Sequence, residues 1–476
     1  MTSLVLTGAN IVDLRDGSIA WNMDLTIVDG LISNVTAAST SGSTMATAGT
    51  PVVDASGKFL VPGYNDMHAH ALNDHDPAGA LELMLAYGIT GFRQMSGSDA
   101  LLAARRNNAL PIRTDMPQLL ELPADVLSPG NGATVEQAVA TLRRQVESGA
   151  DFIKVAAVSP TVFTALQKSA RELGTTISGH LPAASDPVVA SRDGLRSIEH
   201  LGPGISMLAA CSSDESAIRH TLAQTPELKL PPFRIPFLGR ILTAVMARIV
   251  VNPIQLSSPD SLALLQRAID TFDKSKARAL AQEFATNGTW QTPTLMRQLT
   301  TQQCDLPRFS SDPDHRFVAP ATLKLWQSTR DKFVKKFSAT QRATLRAEYE
   351  LQLRLLRIFD EVGVGILAGT DATGGVWLVP GPSLHHEFDE LARAGLSPLS
   401  VLQSTTSSAA EFLGTAATHG AIEAGKVADI VILEGNPLES VSALHTIAGV
   451  VIGGQYRSRS NLDTVTAGVE ASRSIR

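Results

Sequence analysis

"VPGYNDMHAH", residues 61–70, decides how the rest of the chain is read. A short apolar run enters a Pro-Gly pair, and His68 and His70 follow with one residue between them. In an extended strand, residues i and i+2 point to the same face, so both imidazoles can converge on one point above the strand end. A metal ion is held in that way. Two solvent-exposed loop histidines would give the same spacing, so the choice between these readings rests on partners elsewhere in the chain.

Outward from this stretch the texture is regular. From about residue 59, apolar strand, polar loop and amphipathic helix alternate. The segment "TVEQAVATLRRQVESG" predicts a helix, with Thr134 and Gln137 at capping-box positions, Val135, Val139, Leu142 and Val146 on one face, and Gly149 as its stop. Strands are expected at 59–70, 88–94, 116–122, 150–158, 175–180, 195–200, 289–295 and 364–372. Eight strands alternating with helices indicate a closed (β/α) barrel, whose chemistry lies at the C-terminal strand ends. Before residue 37, short β-rich runs broken by Asp-Gly at 16–17 and 29–30 suggest hairpins, and similar runs return after residue 420. The two ends are expected to form one small β-domain.

Composition narrows the class. The 476 residues carry a formal net charge of -6, with both signs interspersed, which offers no broad attraction for nucleic acid or anionic lipid. The opening "MTSLVLTGANIVDLRDG" lacks a basic n-region, and two distant cysteines, Cys211 and Cys304, make no disulfide framework. A cytoplasmic protein without a membrane span, acting on a small molecule as a homo-oligomer, is the expectation.

Polar residues capable of binding metal mark the strand ends. His68 and His70 close the first strand, Lys154 lies in the fourth, and His180, His200 and Asp371 end the fifth, sixth and eighth. Each alone has an ordinary reading: Lys154 can snorkel, the histidines can bond backbone, and Asp371 can cap a helix. A barrel would bring all six to one rim although the sequence spreads them over roughly 300 positions.

These residues sit in motifs that carry a resemblance. "VPGYNDMHAH", "GADFIKVAA", "IEHLGPG", "ILAGTDA", "PLSVLQSTTSSAAEFLG" and "GAIEAGKVADIVILEGNPLESV" occur in order, and the chain resembles the amidohydrolase superfamily. It is most similar to the imidazolonepropionase-related branch that includes metal-dependent Xaa-Pro dipeptidases. The resemblance implies a distorted (β/α)8 TIM barrel over 59–415, with enlarged loops about 205–260 and 300–350. It also implies a β-sandwich built from 1–58 and 416–476.

It implies a two-metal site as well. His68, His70 and Asp371 would bind one ion, His180 and His200 the other, and Lys154, carboxylated by CO2, would bridge them. Nitrogen and oxygen ligands suit Zn²⁺, with Mn²⁺ or Co²⁺ able to fill the same shell. A buried lysine beside cations has the lowered pKa that carbamate formation requires. Paired ions would activate a bridging water for attack on an amide or related C–N bond, with Asp371 as general acid and base. N-acyl amino acids, dipeptides and hydrophobic or aromatic amides or carbamates are the substrate classes implied.

Other chemistries remain open on this sequence. Lactone or phosphotriester hydrolysis can use the same centre. A mononuclear deaminase or imidazolone-type ring opener is disfavoured by "HLPAAS" after His180, which lacks the shuttle glutamate of deaminase-like relatives. A non-catalytic binding barrel is the remaining alternative. For substrate contacts, Arg93 can meet a carboxylate or form a structural ion pair, and His385 can line the pocket or pack a helix N-terminus. The insert at 228–253 places Leu238, Ile241, Leu242, Val245, Met246, Ile249 and Val250 on one helical face. A lid, a subunit contact, a membrane-surface helix and simple packing on the barrel all fit that face. As a lid, Leu242 and Met246 would favour an apolar acyl group.

Overall fold

The computed structural model describes residues 3–38, 49–224 and 250–474. The N-terminal strands are β1 (Ser3–Val12), β2 (Ile19–Val28), β3 (Leu31–Ala37), β4 (Val52–Asp54) and β5 (Phe59–Pro62). Asp29 and Gly30 both have positive φ, +49° and +79°, the geometry of a tight hairpin turn, and they join β2 to β3 where the Asp-Gly pair foretells it.

The next seven strands are all parallel to their neighbours. β6 (Tyr64–Ala69), β7 (Ile89–Gln94) and β8 (Gln118–Glu121) form one sheet. β9 (Ile153–Val155), β10 (Ile177–Gly179), β11 (Leu195–Glu199) and β12 (Trp290–Thr292) form a second. Isolated parallel bridges join the sets: Leu127 to Val155, Gln291 to Ile366 and Ala69 to Ala372. The eight extended segments thus follow one another round a distorted TIM barrel. The expected eighth strand, 364–372, is held by bridges rather than a regular ladder, because its far end turns sharply at Asp371, φ +60°.

Finally, β13 (Ile430–Leu433), β14 (Ile447–Ile452) and β15 (Gln455–Ser458) return to the first sheet, whose order is β15-β14-β13-β5-β1-β2-β3 with β4 beside β1. That sheet has its own apolar cluster, including Leu6, Leu25, Ile27, Leu60 and Ile432. A larger cluster fills the barrel and the layer beneath its helices.

Three expectations need adjustment. Residues 59–70 are two strands: β5 pairs with β1 and β13 in the terminal sheet, and only β6 belongs to the barrel. Gly63 makes the crossing possible, since a Cβ there would lie 2.0 Å from Thr90 Oγ1. The stretch expected as an enlarged loop near 300–350 is largely helical, with helices Pro320–Lys336 and Ala339–Val362. Ser338 and Gln341 close a full capping box on the second. In the helix Val135–Glu147, Thr134 caps as expected, but the Gln137 side chain accepts from Ala133 N, one residue short of the reciprocal bond.

Gly369 governs how closely the ring closes. A Cβ there would meet His68 Cβ at 2.7 Å and Thr292 Cγ2 at 2.9 Å. Gly369→Ala should therefore lower stability in urea melts by about 1–3 kcal/mol, the usual range for overpacking. Gly468→Ala, on an exposed turn of the helix Arg459–Ser474 with no atom within 4 Å, should instead raise stability by up to about 1 kcal/mol. Equal effects would show that crowding at Gly369 does not constrain the ring.

Candidate metal centre

The ends of β6 and of the last barrel segment are stitched together. Asp371 N and Thr370 N donate to the His68 carbonyl at 2.7 and 3.1 Å, and His70 N donates to Ala372 O at 2.6 Å. Beneath them the buried Asp66 carboxylate accepts from His68 N at 3.1 Å and from Thr370 Oγ1 at 2.7 Å. The two imidazoles are thereby delivered to one carboxylate oxygen. His68 Nε2 lies 3.2 Å and His70 Nε2 2.8 Å from Asp371 Oδ1. Among the described residues, these three form one of two groups whose ligand atoms lie within 4.8 Å of one another.

His180 and His200 stand alongside. The rings of His68 and His200 have centroids 4.6 Å apart, and those of His180 and His200 5.1 Å. His200 gets there by a bend: it follows the last residue of β11 and has φ +58°. Of the eight non-glycine residues with positive φ among the described residues, Asn22, Asp29 and Asn108 are types that tolerate it readily. Four of the other five, His200, Leu201, Thr294 and Asp371, belong to this rim, so left-handed backbone clusters where side chains must be aimed.

Buried partners fix each ring. His68 Nδ1 donates to Glu199 Oε2 at 2.6 Å. His70 Nδ1 lies 2.8 Å from Ser96 Oγ, whose own hydrogen goes to Asn73 Oδ1 at 2.7 Å, so the imidazole is the donor and its Nε2 keeps a lone pair. Gln94 braces this arrangement, donating to Asn73 Oδ1 and to the Ser96 carbonyl. Thr294 Oγ1 engages His200 Nδ1 at 2.6 Å. Arg297 Nε meets the second Asp371 oxygen, Oδ2, at 3.0 Å, and its two Nη atoms donate to the carbonyls of Val250 and Val251.

The electrostatics suit neutral ligands around a carboxylate. Burial lowers the pKa of His70 and His200 and pulls His180 down to about 3, so these rings are neutral at pH 7. Burial alone would raise the Asp371 carboxyl, but its polar surroundings, the Arg297 charge among them, hold it well below the usual range. Burial also lowers the Lys154 amine to about 8, against the pull of Glu199 and Asp371. Among the described residues, the buried Lys154 Nζ has no hydrogen-bond partner, an arrangement that a fixed ammonium makes costly. Neutral imidazoles, an ionised carboxylate and an amine without a hydrogen-bond partner among the described residues are a donor set that fits divalent metal ions.

The substrate-contact expectations fare differently. The Arg93 side chain is fully enclosed, pairs with Glu121 at 2.7 Å and Glu199 at 3.4 Å, and lies over the Phe152 ring. It takes the ion-pair reading and has no face toward a substrate. His385 is buried with Nε2 on the Tyr87 carbonyl, and it lines a cavity of about 300 Å³ that none of the six rim residues borders. It packs the helix Pro382–Ala394 and is removed from the rim. Leu242 and Met246, with most of the 228–253 insert, lie outside the described residues. Glu199, Asp66, Ser96 and Arg297 were not singled out from sequence; only the adjacency of Glu199 to His200 hinted at one of them.

Lys154 gives a pH signature. Its folded pKa lies below the ordinary 10.5, so between about pH 8 and 10.5 the unfolded chain binds the extra proton and stability rises with pH. In metal-stripped, CO2-depleted protein, the stability difference between Lys154→Met and the parent should shrink across that window by as much as about 3 kcal/mol. A difference independent of pH would mean that the amine is not held in a dry site.

Comparison with known proteins gives a consistent picture. The amidohydrolase family matches residues 352–457. A dihydroorotase from Pelotomaculum thermopropionicum is 43% identical over 67 residues, which is 14% of this chain and 14% of that protein. Among solved structures, a bottromycin amidohydrolase superimposes with a TM-score of 0.70 at 24% identity, covering 99% of this chain and 90% of that one. A Xaa-Pro dipeptidase with methionine in its active site gives 0.61 at 16% identity, covering 96% and 100%. No helix among the described residues is long and apolar enough to cross a membrane. The chain thus shares the fold of these solved structures over nearly its whole length and matches the amidohydrolase family over its C-terminal part, residues 352–457.

Proposed function

We propose that this protein is a binuclear metal-dependent hydrolase of an amide or related carbon–nitrogen bond. The observation that carries the reading is the convergence of His68, His70 and Asp371 beside a buried Lys154 amine that has no hydrogen-bond partner among the described residues. His68, His70 and Asp371 would hold one ion, His180 and His200 a second, with Lys154 as a carbamate between them. Zinc is the first choice for such nitrogen and oxygen donors, with manganese or cobalt as substitutes. When bound, the ions supply Lewis acidity and an acidified water.

The chain's own residues account for the rest. Asp371 is ionised and anchored through Oδ2 to Arg297, so it is able to accept a proton from the attacking water and return it to the departing nitrogen. Amides need that return most, because an amine anion is a poor leaving group. An apolar acyl group is favoured over a small charged dipeptide, since Arg93 is consumed inside the barrel and is unavailable to a substrate carboxylate. The names of the solved neighbours, an amidohydrolase and a dipeptidase, support the bond type.

The test is a panel of N-acyl amino acids, Xaa-Pro dipeptides, anilides, carbamates, lactones and phosphotriesters, run on zinc-loaded and chelator-stripped protein. Turnover of carbon–nitrogen substrates that disappears on stripping and returns with zinc is expected. Asp371→Asn should cut kcat by about 10²–10⁴-fold while leaving the circular dichroism spectrum unchanged. Turnover confined to lactones or phosphotriesters, or a near-parental rate in Asp371→Asn, would contradict the proposal.

A further inference from the structure

The carboxylate of Glu199 divides its work between two oxygens. Oε1 is anchored from within the barrel, accepting from Ser197 Oγ at 2.6 Å and facing Arg93 Nη1 at 3.4 Å. Oε2 has a single partner among the hydrogen bonds described for it, His68 Nδ1, at 2.6 Å. Both side chains are almost completely buried, Glu199 at 0% and His68 at 1% exposure, so no water competes for the bond. Ser197 and Glu199 share one face of β11 by strand alternation. His200, which would otherwise point away, is brought back beside His68 by its left-handed backbone.

From this geometry we propose that Glu199 is a positioning residue for metal binding, one that fixes which nitrogen of His68 is offered to an ion. The inference rests on the metal reading given under Proposed function. With Nδ1–H committed to Oε2, the imidazole has its lone pair on Nε2, which is the atom aimed at Asp371. Arg93, seated between Glu121 and Glu199 and stacked near the Phe152 ring, keeps the carboxylate from turning. A carboxylate behind a ligating histidine both orients the ring and raises its basicity toward a metal. The interior ion pair of Arg93 thereby acquires a task at the rim, through Glu199 and without contact with substrate.

Two variants separate positioning from packing. Glu199→Asp keeps the charge that faces Arg93 but withdraws the oxygens by one methylene, out of reach of His68. Glu199→Gln keeps the size and loses the charge. Zinc affinity of the metal-stripped chain, measured by competition with a chelating indicator and without substrate, should fall by about 10–100-fold in both, the usual cost of losing such a partner. Ser197→Ala, which removes the bond to Oε1 and a 3.4 Å contact from Arg93 Nη1 but leaves Oε2 on His68, should lower the melting temperature and leave zinc affinity near the parental value. Parental affinity in both Glu199 variants, or an equal loss in Ser197→Ala, overturns the role of Glu199 while leaving the metal reading intact. A parent chain that takes up no zinc overturns that reading and this inference with it.

Discussion

Closure of the barrel between its first and last segments is the constraint on which the site depends. Asp66 binds the backbone and hydroxyl of Thr370, and the His68 carbonyl takes the amides of Thr370 and Asp371. These short bonds between residues about 300 positions apart set the separation of His68, His70 and Asp371. The room for them comes from Gly369, which lets the segment pass against the His68 backbone. The last segment has bridges in place of a ladder, and the side-chain bonds of Asp66 reinforce the few backbone bonds at this seam.

A dry rim crowded with ionisable groups needs its charges arranged in alternation. Arg196 faces Glu121, Glu121 faces Arg93, Arg93 faces Glu199 and Glu199 faces His68; on the far side Asp371 faces Arg297. Removing one member of such a string leaves its neighbour buried and unpaired, which is costlier than the string is stabilising. Lys154 breaks the alternation, for its buried amine has no hydrogen-bond partner among the described residues. An adduct bearing negative oxygens, as in a carbamate, would restore it.

Much of this architecture was legible in the sequence because it is written in local periodicity. Alternating apolar runs located the barrel strands, Asp-Gly marked the β2–β3 hairpin, and residues at strand ends pointed to His68, His70, Lys154, His180, His200 and Asp371. What the sequence hid depends on packing between distant segments. Glu199 and Asp66 read as ordinary polar residues until the ring closes over them, and for Arg93 the sequence left open a substrate carboxylate or a structural ion pair, of which its full enclosure beside Glu121 and Glu199 selects the second. The split of 59–70 into two strands was invisible because both halves are extended and follow one another directly; Gly63, pressed against Thr90, marks the crossing. His385 was placed near the rim by its position after the eighth segment, whereas the helix that carries it turns its ring toward Tyr64 and Phe388.

The proposed chemistry therefore stands on where cations settle when they are supplied. Anomalous diffraction from crystals grown with zinc and bicarbonate locates them directly. Two peaks are expected, one bordered by His68, His70 and Asp371 and the other by His180 and His200, with extra density on Lys154 Nζ between them. Zinc bound elsewhere, with Lys154 unmodified and the rim histidines still bonded only to protein, would contradict that arrangement.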